Sequence, residues 1–492
     1  MAIGGVLKTL ALSASVAALA SAAAPAKADT LQEALTDAYL NNPTLEAARA
    51  GQRAEDENVQ IQRAQGLPSV NATGQYIEFL KPSPNSFAPT ERVLQVGPDL
   101  VVPLYAGGGI KNSILAAKER VEAGRADLRG LESSVFTQVV AAYLDVLRGQ
   151  ALVNLSTNQV DVLSVNVQAT SDRFEIGDLT RTDVAQSQSR LALARSDLQT
   201  AQATLIEARE RYIQLTGSAP VDLQPPPPLP NLPATGGQAV DIALENNPDL
   251  VAARERARAA GYDVEVAGSG RLPNVSAFAG LDYNNYFGTL SGGDPRLSQT
   301  ETTANAGLRI SIPIFQGGLP AARQRQATAR ESAALERIVA AEREVIAAVR
   351  SSYSNYRAAQ QVIESSLTAV SAAELSLEGV RAEQSIGNRT ILDVLNAEQE
   401  LLSARVQLVT ARRNAYVAGF SLLAAMGRAE ARDLGLADEG VLYDPLDNYE
   451  RVSGRIWDWD RDPEPQTVTT STRDVTAPTA DIPPITGPVD QQ

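Results

Sequence analysis

The sequence contains no cysteine and no histidine. Those two absences remove whole classes of chemistry. Structural disulfides, Cys/His zinc sites, histidine general bases and Ser-His-Asp triads are excluded, and so is a lipid attached through a thiol. Aromatic residues make up only 5% of the chain, and alanine dominates. Positive charge is scarce as well: 43 Lys and Arg face 58 Asp and Glu, for a formal charge of −15. That balance argues against a nucleic-acid partner held through its phosphates. It suits an acidic soluble surface or a passage that attracts cations. Phosphate-binding glycine loops are missing too. Gly107-Gly108-Gly109-Ile110-Lys111-Asn112-Ser113 has glycines and a lysine but not the nucleotide-loop spacing, and reads as a strand-to-helix junction. No cofactor is expected.

What is present begins with a leader. Lys8 precedes an apolar run from Leu10 to Ala24, which ends in Ala26-Lys27-Ala28. This is the charged, apolar and small-residue order of a secretory signal peptide over 1–28, leaving Asp29 first after cleavage. The run is too short and too alanine-rich for a spanning anchor helix.

The rest is one unit written twice. Asn41-Asn42-Pro43 returns as Asn246-Asn247-Pro248, and Leu67-Pro68-Ser69-Val70 as Leu272-Pro273-Asn274-Val275. Pro103-Leu104-Tyr105-Ala106-Gly107-Gly108 returns as Pro313-Ile314-Phe315-Gln316-Gly317-Gly318. The first repeat spans 29–217 and the second 237–427, joined by a proline-rich linker over 218–236. A segment over 428–492 follows. Beyond Pro463 it is rich in Thr, Pro and Asp and reads as a largely disordered tail.

Each repeat is predicted to run short helix, strand, loop, strand, long helix, tight turn, return helix. The long helices extend without internal proline over about 110–176 and 321–386. At 1.5 Å per residue each spans about 100 Å. The return helices carry strict sevens: Val184, Leu191, Leu198, Leu205 and Tyr212, then Val394, Leu401, Leu408, Ala415 and Leu422. A strict seven-residue repeat keeps one seam against a partner helix, so each long hairpin is a coiled coil. The return helix and the leading short helix together match the long one in length. The two could therefore lie end to end beside it.

The strands alternate with period two. Val70, Ala72, Gly74 and Tyr76 alternate with Asn71, Thr73 and Gln75, and Leu94, Val96, Pro98, Leu100, Val102 and Leu104 repeat the pattern until Pro103 and the glycines break it. In the second repeat Val275 to Tyr283 and Ala304 to Ile314 do likewise. About ten residues with one apolar face is the length of a strand that crosses a membrane. Four strands cannot close around a lumen, and a bilayer does not tolerate open edges. Several chains must then share one barrel, and three would give twelve strands. Tyr76, Phe79, Tyr283, Tyr286 and Phe287 near the strand ends would form an aromatic girdle. The competing reading is a soluble sheet packed on helices.

The two tips are Ile176-Gly177-Asp178-Leu179-Thr180-Arg181-Thr182-Asp183-Val184 and Ile386-Gly387-Asn388-Arg389-Thr390-Ile391-Leu392-Asp393-Val394. Gly387 and Asn388 are expected to supply left-handed backbone. Thr390 should cap the return helix, with Asp393 completing a capping box. On position alone Asp393 is a capping partner and Arg389 one half of a solvated ion pair.

The duplicated unit, the Asn-Asn-Pro starts, the Pro-(Leu/Ile)-(Tyr/Phe)-x-Gly-Gly strand exits and the Gly-x-x-Thr-x-x-Asp-Val tips resemble the TolC family of outer-membrane efflux and secretion channels. The resemblance covers about residues 30–427. It implies a mainly α homotrimer: one twelve-stranded barrel in the outer membrane, continued by a helical tunnel through the periplasm. It implies a periplasmic adaptor docking on the hairpin tips (Gly177, Asp178, Leu179, Thr180, Arg181, Gly387, Asn388 and Thr390) and an inner-membrane transporter that supplies the energy. Asp393 resembles the aspartate that rings the periplasmic aperture. Asn396 stands where a second aspartate ring would be. Arg389 resembles the arginine that ties the two hairpins, with Thr182 and Asp183 as its partners by position. A companion tyrosine is replaced by Gln384.

Two other readings compete. A periplasmic coiled-coil adaptor would bridge membranes without a pore, but would lack the paired amphipathic strands. An enzyme is disfavoured by the missing histidine, cysteine and glycine loops. Acidic pairs on the helices read as solvated faces. Asp458-Trp459-Asp460-Arg461-Asp462 opens like a calcium loop, but Pro463 stands at the required glycine and Thr469 at the bidentate glutamate.

Overall fold

A computed structural model describes residues 29–81, 86, 88–436 and 442–480. The expected leader, 1–28, lies outside the described residues, as do 481–492 of the tail.

The two repeats fold alike. The first runs α1 (Leu31–Asn41), α2 (Pro43–Ala64), β1 (Ser69–Glu78), β2 (Arg92–Ala106), α3 (Gly109–Glu175) and α4 (Arg181–Thr216). The second runs α5 (Gly236–Asn246), α6 (Pro248–Ser269), β3 (Asn274–Asn285), β4 (Thr300–Ser311), α7 (Leu319–Ser385) and α8 (Ile391–Ala425). Both long helices, α3 and α7, contain 67 residues. The helix α9 (Pro445–Val452) lies in the segment where the repeat pattern has faded.

The Asn-Asn-Pro motifs turn out to be joints. Pro43 sits in the first turn of α2, where its missing N–H removes no helical hydrogen bond. Asn42 Oδ1 accepts from the Thr44 N–H at 2.9 Å, while Asn42 Nδ2 donates to the Leu215 carbonyl near the end of α4 at 3.0 Å. One side chain thus caps the short helix and holds the end of the return helix. Asn247 repeats the joint, accepting from the Asp249 N–H at 3.0 Å and donating to the Ala425 carbonyl of α8 at 3.0 Å. The short and return helices are therefore stacked end to end, as their lengths suggest. At the second joint a Cβ on Gly427 would run into the Asn246 carbonyl. With φ of +70° as well, that position requires glycine.

The main core lies at the level of these joints. Tyr39, Phe136, Tyr143, Leu205, Tyr212, Val349 and Phe420 are buried together there, drawn from both repeats. Tyr143 Oη donates to the carbonyls of Asp29 (3.0 Å) and Gln224 (2.6 Å), so the proline-rich linker is pinned to the core. Away from the joints α3 packs on α4, α7 packs on α8, and α8 also lies against α3. The two hairpins therefore stand side by side.

The strands form one antiparallel sheet in the order β1-β2-β3-β4. Its register segregates the side chains completely enough to assign the faces. Val70, Leu100, Ala279 and Ala306 lie in one row across the sheet, and Val102, Ala277 and Leu308 in another on the same face. The opposite face carries Gln75, Gln95, Asn284 and Glu301 in one row and Asn71, Asp99, Gly280 and Asn305 in another. No helix covers the apolar face: Val70 is 70% exposed and Leu308 67%. The soluble sheet packed on helices is thereby ruled out as a description of this chain.

Three expectations need correction. Pro103 does not end β2; the strand continues to Ala106 through a register shift between Pro103 and Tyr105. A bulge is where a strand accommodates a residue without an N–H. In the second repeat β4 stops at Ser311, so Ile312 and Ile314 lie beyond it. Among the described residues the tail forms no helix or strand after Val452, yet as far as Ala480 it stays on the molecule. Arg209 Nη1 of α4 donates to the carbonyls of Pro478 (3.0 Å) and Thr479 (2.6 Å), and Ala480 is buried in the main core.

Candidate functional site at the hairpin tips

Each tip is closed by the same backbone device. Gly177 (φ +82°) and Gly387 (φ +85°) follow the helix ends in the left-handed region. The next residue then reaches back: the Asp178 N–H donates to the Arg173 carbonyl and the Asn388 N–H to the Glu383 carbonyl, both at 2.9 Å. Asn388 itself is not left-handed, so Gly387 alone supplies the turn. Both capping boxes form. Asp183 Oδ2 accepts from the Thr180 N–H (2.9 Å) and hydroxyl (2.7 Å), and Asp393 Oδ2 from the Thr390 N–H (3.0 Å) and hydroxyl (2.8 Å). These bonds hold both carboxyls below the ordinary aspartate value, chiefly the hydroxyl bond at Asp183 and the backbone bond at Asp393. Both aspartates are therefore anionic at neutral pH.

The ion pairs at the two tips are mirror versions of each other. In the first tip Arg173, on the long helix, meets Asp178 in the loop at 2.6 Å. In the second Glu383, on the long helix, meets Arg389 in the loop at 2.7 Å. Within one chain, then, Arg389 is engaged by Glu383 and is not brought to Thr182 or Asp183. Thr182 is exposed and Asp183 serves its own cap. The backbone carbonyl of Gln384 accepts from the Gly387 N–H at 3.0 Å. Thr180, Arg181, Asn388 and Thr390 are exposed and Leu179 is half-buried, while Ile176 and Ile386 at the ends of the long helices are exposed too, so the tips present a mixed polar and apolar end surface.

The links between the hairpins lie about one to two and a half turns above the tips. Asn396 Oδ1 accepts from Arg190 Nη2 of α4 at 3.0 Å. Glu398, buried on α8, receives Arg381 Nη2 of α7 at 2.9 Å and Asn166 Nδ2 of α3 at 3.1 Å. One carboxylate thereby joins three helices. An apolar cluster of Leu163, Leu191, Ala194 and Leu395 seals the same level. Sequence reading finds Asn396 but passes over Glu398, Asn166, Arg381 and Arg190. Glu398 interrupts an otherwise helical pattern with a charge four residues after Val394. That charge beside the seam is the only signal of it.

The calcium-loop candidate does not hold a metal-like cluster. Asp462 is bound by Arg451 and Arg455 at 2.8 and 2.7 Å. Among the described residues no group of acidic side chains converges as a metal site.

With this geometry in view the comparisons are direct. A sequence model of outer membrane efflux proteins matches residues 34–218 and 239–428, the two repeats. The outer membrane efflux protein BepC of Brucella suis is 33% identical over 87% of this chain and 92% of its own length. The outer membrane protein TolC of Escherichia coli is 26% identical over 87% of this chain and 88% of its own. Among solved structures, the CmeC outer membrane channel of Campylobacter jejuni superposes with a TM-score of 0.71 at 18% identity, over 86% of this chain and 89% of that one. The duplicated sequence, the uncovered amphipathic sheet and the long hairpins are thus a family inheritance: the chain belongs to the outer membrane efflux protein family, with its strands in the outer membrane and its long helices in the periplasm.

Proposed function

We propose that three copies of this chain form a passive exit duct, with twelve strands closed in the outer membrane and six helical hairpins extending as a tunnel toward the inner membrane. The observation that carries this is the sheet: one face apolar through its middle rows, the other mostly polar, and both edges, β1 and β4, unpaired within the chain. A polar inner and apolar outer face is what a lipid-embedded, water-filled barrel needs. Edges without partners demand neighbouring chains. The chain carries out no catalysis in this reading. Transport energy comes from an inner-membrane transporter, engaged through a periplasmic adaptor that seats on the exposed tips. The description of the Brucella relative as an efflux protein favours efflux over secretion of a polypeptide.

The tips act as the gate. Three Asp393 carboxylates around one axis give a narrow mouth a negative field that favours cations, and their capping bonds keep them ionised. Arg190–Asn396 and Arg381–Glu398–Asn166 hold the hairpins in the closed packing. An adaptor opens the duct by favouring a second packing of similar energy.

Single-channel conductance in a planar bilayer tests this, with Asp393→Asn alongside. The expected result is a small cation-preferring conductance whose preference falls in the variant while a capping bond survives. A conductance indifferent to Asp393 moves the constriction elsewhere. A folded trimer without conductance overturns a mouth that leaks at rest, and leaves a tightly shut duct or an adaptor without a pore.

A further inference from the structure

The chain has two tryptophans, Trp457 and Trp459. They are 72% and 75% exposed, beside Ile456 at 78%. Nothing in the gate or the barrel uses them. Their position follows from the path of the C-terminal segment along α2. Tyr443 meets Tyr39 (3.0 Å), Asn448 meets Asp56 (2.7 Å), and the Ser453 carbonyl accepts from Arg63 (2.9 Å). The first contact is on α1 and the next two lie successively further along α2, so α9 climbs toward the end of α2 that feeds β1. The chain then turns back. Asp462 returns to Arg451, and Arg455 reaches both Asp460 (3.5 Å) and Asp462 (2.7 Å). The turn between these pinned ends is Ile456-Trp457-Asp458-Trp459.

We infer that this turn is an interfacial anchor that lays Trp457 and Trp459 on the periplasmic leaflet of the outer membrane, at headgroup level. The inference rests on the sheet spanning that membrane. Arg63 is six residues from the start of β1, so the turn lies within about one to two helical turns of the barrel's base. The strand exits at that level already expose Tyr105 and Phe315, and the turn continues their belt. Tryptophan is the residue that prefers this boundary. Asp458 between the two rings is exposed, which suits headgroups and bars deeper entry, while Arg451 and Arg455 neutralise Asp460 and Asp462.

Because both tryptophans of the chain are here, intrinsic fluorescence reads the site directly. The full-length protein is reconstituted into phosphatidylethanolamine/phosphatidylglycerol vesicles with and without lipid brominated near the headgroup. The single-tryptophan variants Trp457→Phe and Trp459→Phe are measured alongside. The expected result is a loss of emission with brominated lipid and weak quenching by aqueous iodide, for each ring. Strong iodide quenching with no bromine effect overturns the anchor in favour of free solvent. Insensitivity to both overturns it in favour of a neighbouring subunit covering the turn. A control carries Leu308→Trp in a background with both native tryptophans changed to Phe. Bromine quenching at position 308 shows the sheet in lipid even where the anchor fails, so the two readings fail separately.

Discussion

At Asn42 and Asn247 a single amide uses its oxygen and its nitrogen on two different helices. That chemistry is specific to asparagine. Asn247→Asp keeps the oxygen that caps α6 but sets a second carboxylate oxygen against the Ala425 carbonyl. The variant is expected to lose about 1–2 kcal/mol per subunit, read as a lower denaturant midpoint with an unchanged slope. The motif is legible in the sequence as a repeat marker. Its role is not, because the carbonyl it holds lies 178 residues away. Glu132 ties stability to pH. Burial, the largest influence, pushes its carboxyl up from 4.5 to about 7, against the bond it accepts from the Ala431 N–H. Between those two values the folded chain holds a proton that the unfolded chain releases, so stability falls as pH rises through the window. Glu132→Gln removes the titration. Its melting temperature is expected to stay level from about pH 5 to pH 7 where the parent's declines, with up to about 3 kcal/mol at stake.

Among the elements, the long helices were the most legible. Freedom from proline gave their extent to within two residues, and the heptads gave their partners. Val394, Ala397 and Leu401 of α8 do face Ala373 and Leu377 of α7. The strands were legible on their alternating stretches and misjudged at their ends, because a bulge is decided by the neighbouring strand and not by Pro103. Glu398 was barely legible, since its one signal was a charge beside the seam. It is one charge among 58 acidic residues, and only the docking of α8 against α3 buries it. Removing it should loosen the hairpins from each other. Glu398→Ala is expected to cost about 1–3 kcal/mol and to raise the resting conductance through the tips. Urea titration and bilayer recording check the two halves. Unchanged values of both would show that the apolar cluster around Leu395 holds the hairpins without it.

For the whole molecule, the described part of the tail, as far as Ala480, belongs to the structure. Its composition speaks of disorder, yet it descends from the turn near the barrel base to Arg209 on α4, spanning the distance from sheet to core. Arg209 is buried and donates to the Pro478 and Thr479 carbonyls. Ending the chain before Pro478 leaves that guanidinium without those acceptors. Such a truncation is expected to lower stability by about 1–3 kcal/mol, seen as an earlier unfolding midpoint of the detergent-solubilised protein.

The open edges of the sheet carry a consequence for biogenesis. β1 and β4 come from different repeats, so any pairing between chains joins the second half of one to the first half of the next. No chain can satisfy its own edges, and a lone sheet in lipid would leave two rows of peptide groups without partners. In the trimeric reading, recognition of sister chains therefore has to come before the strands enter the membrane. On that reading the order of manufacture runs from the helical trunk to the barrel: the trunk gathers the subunits in water before the strands have anywhere to go.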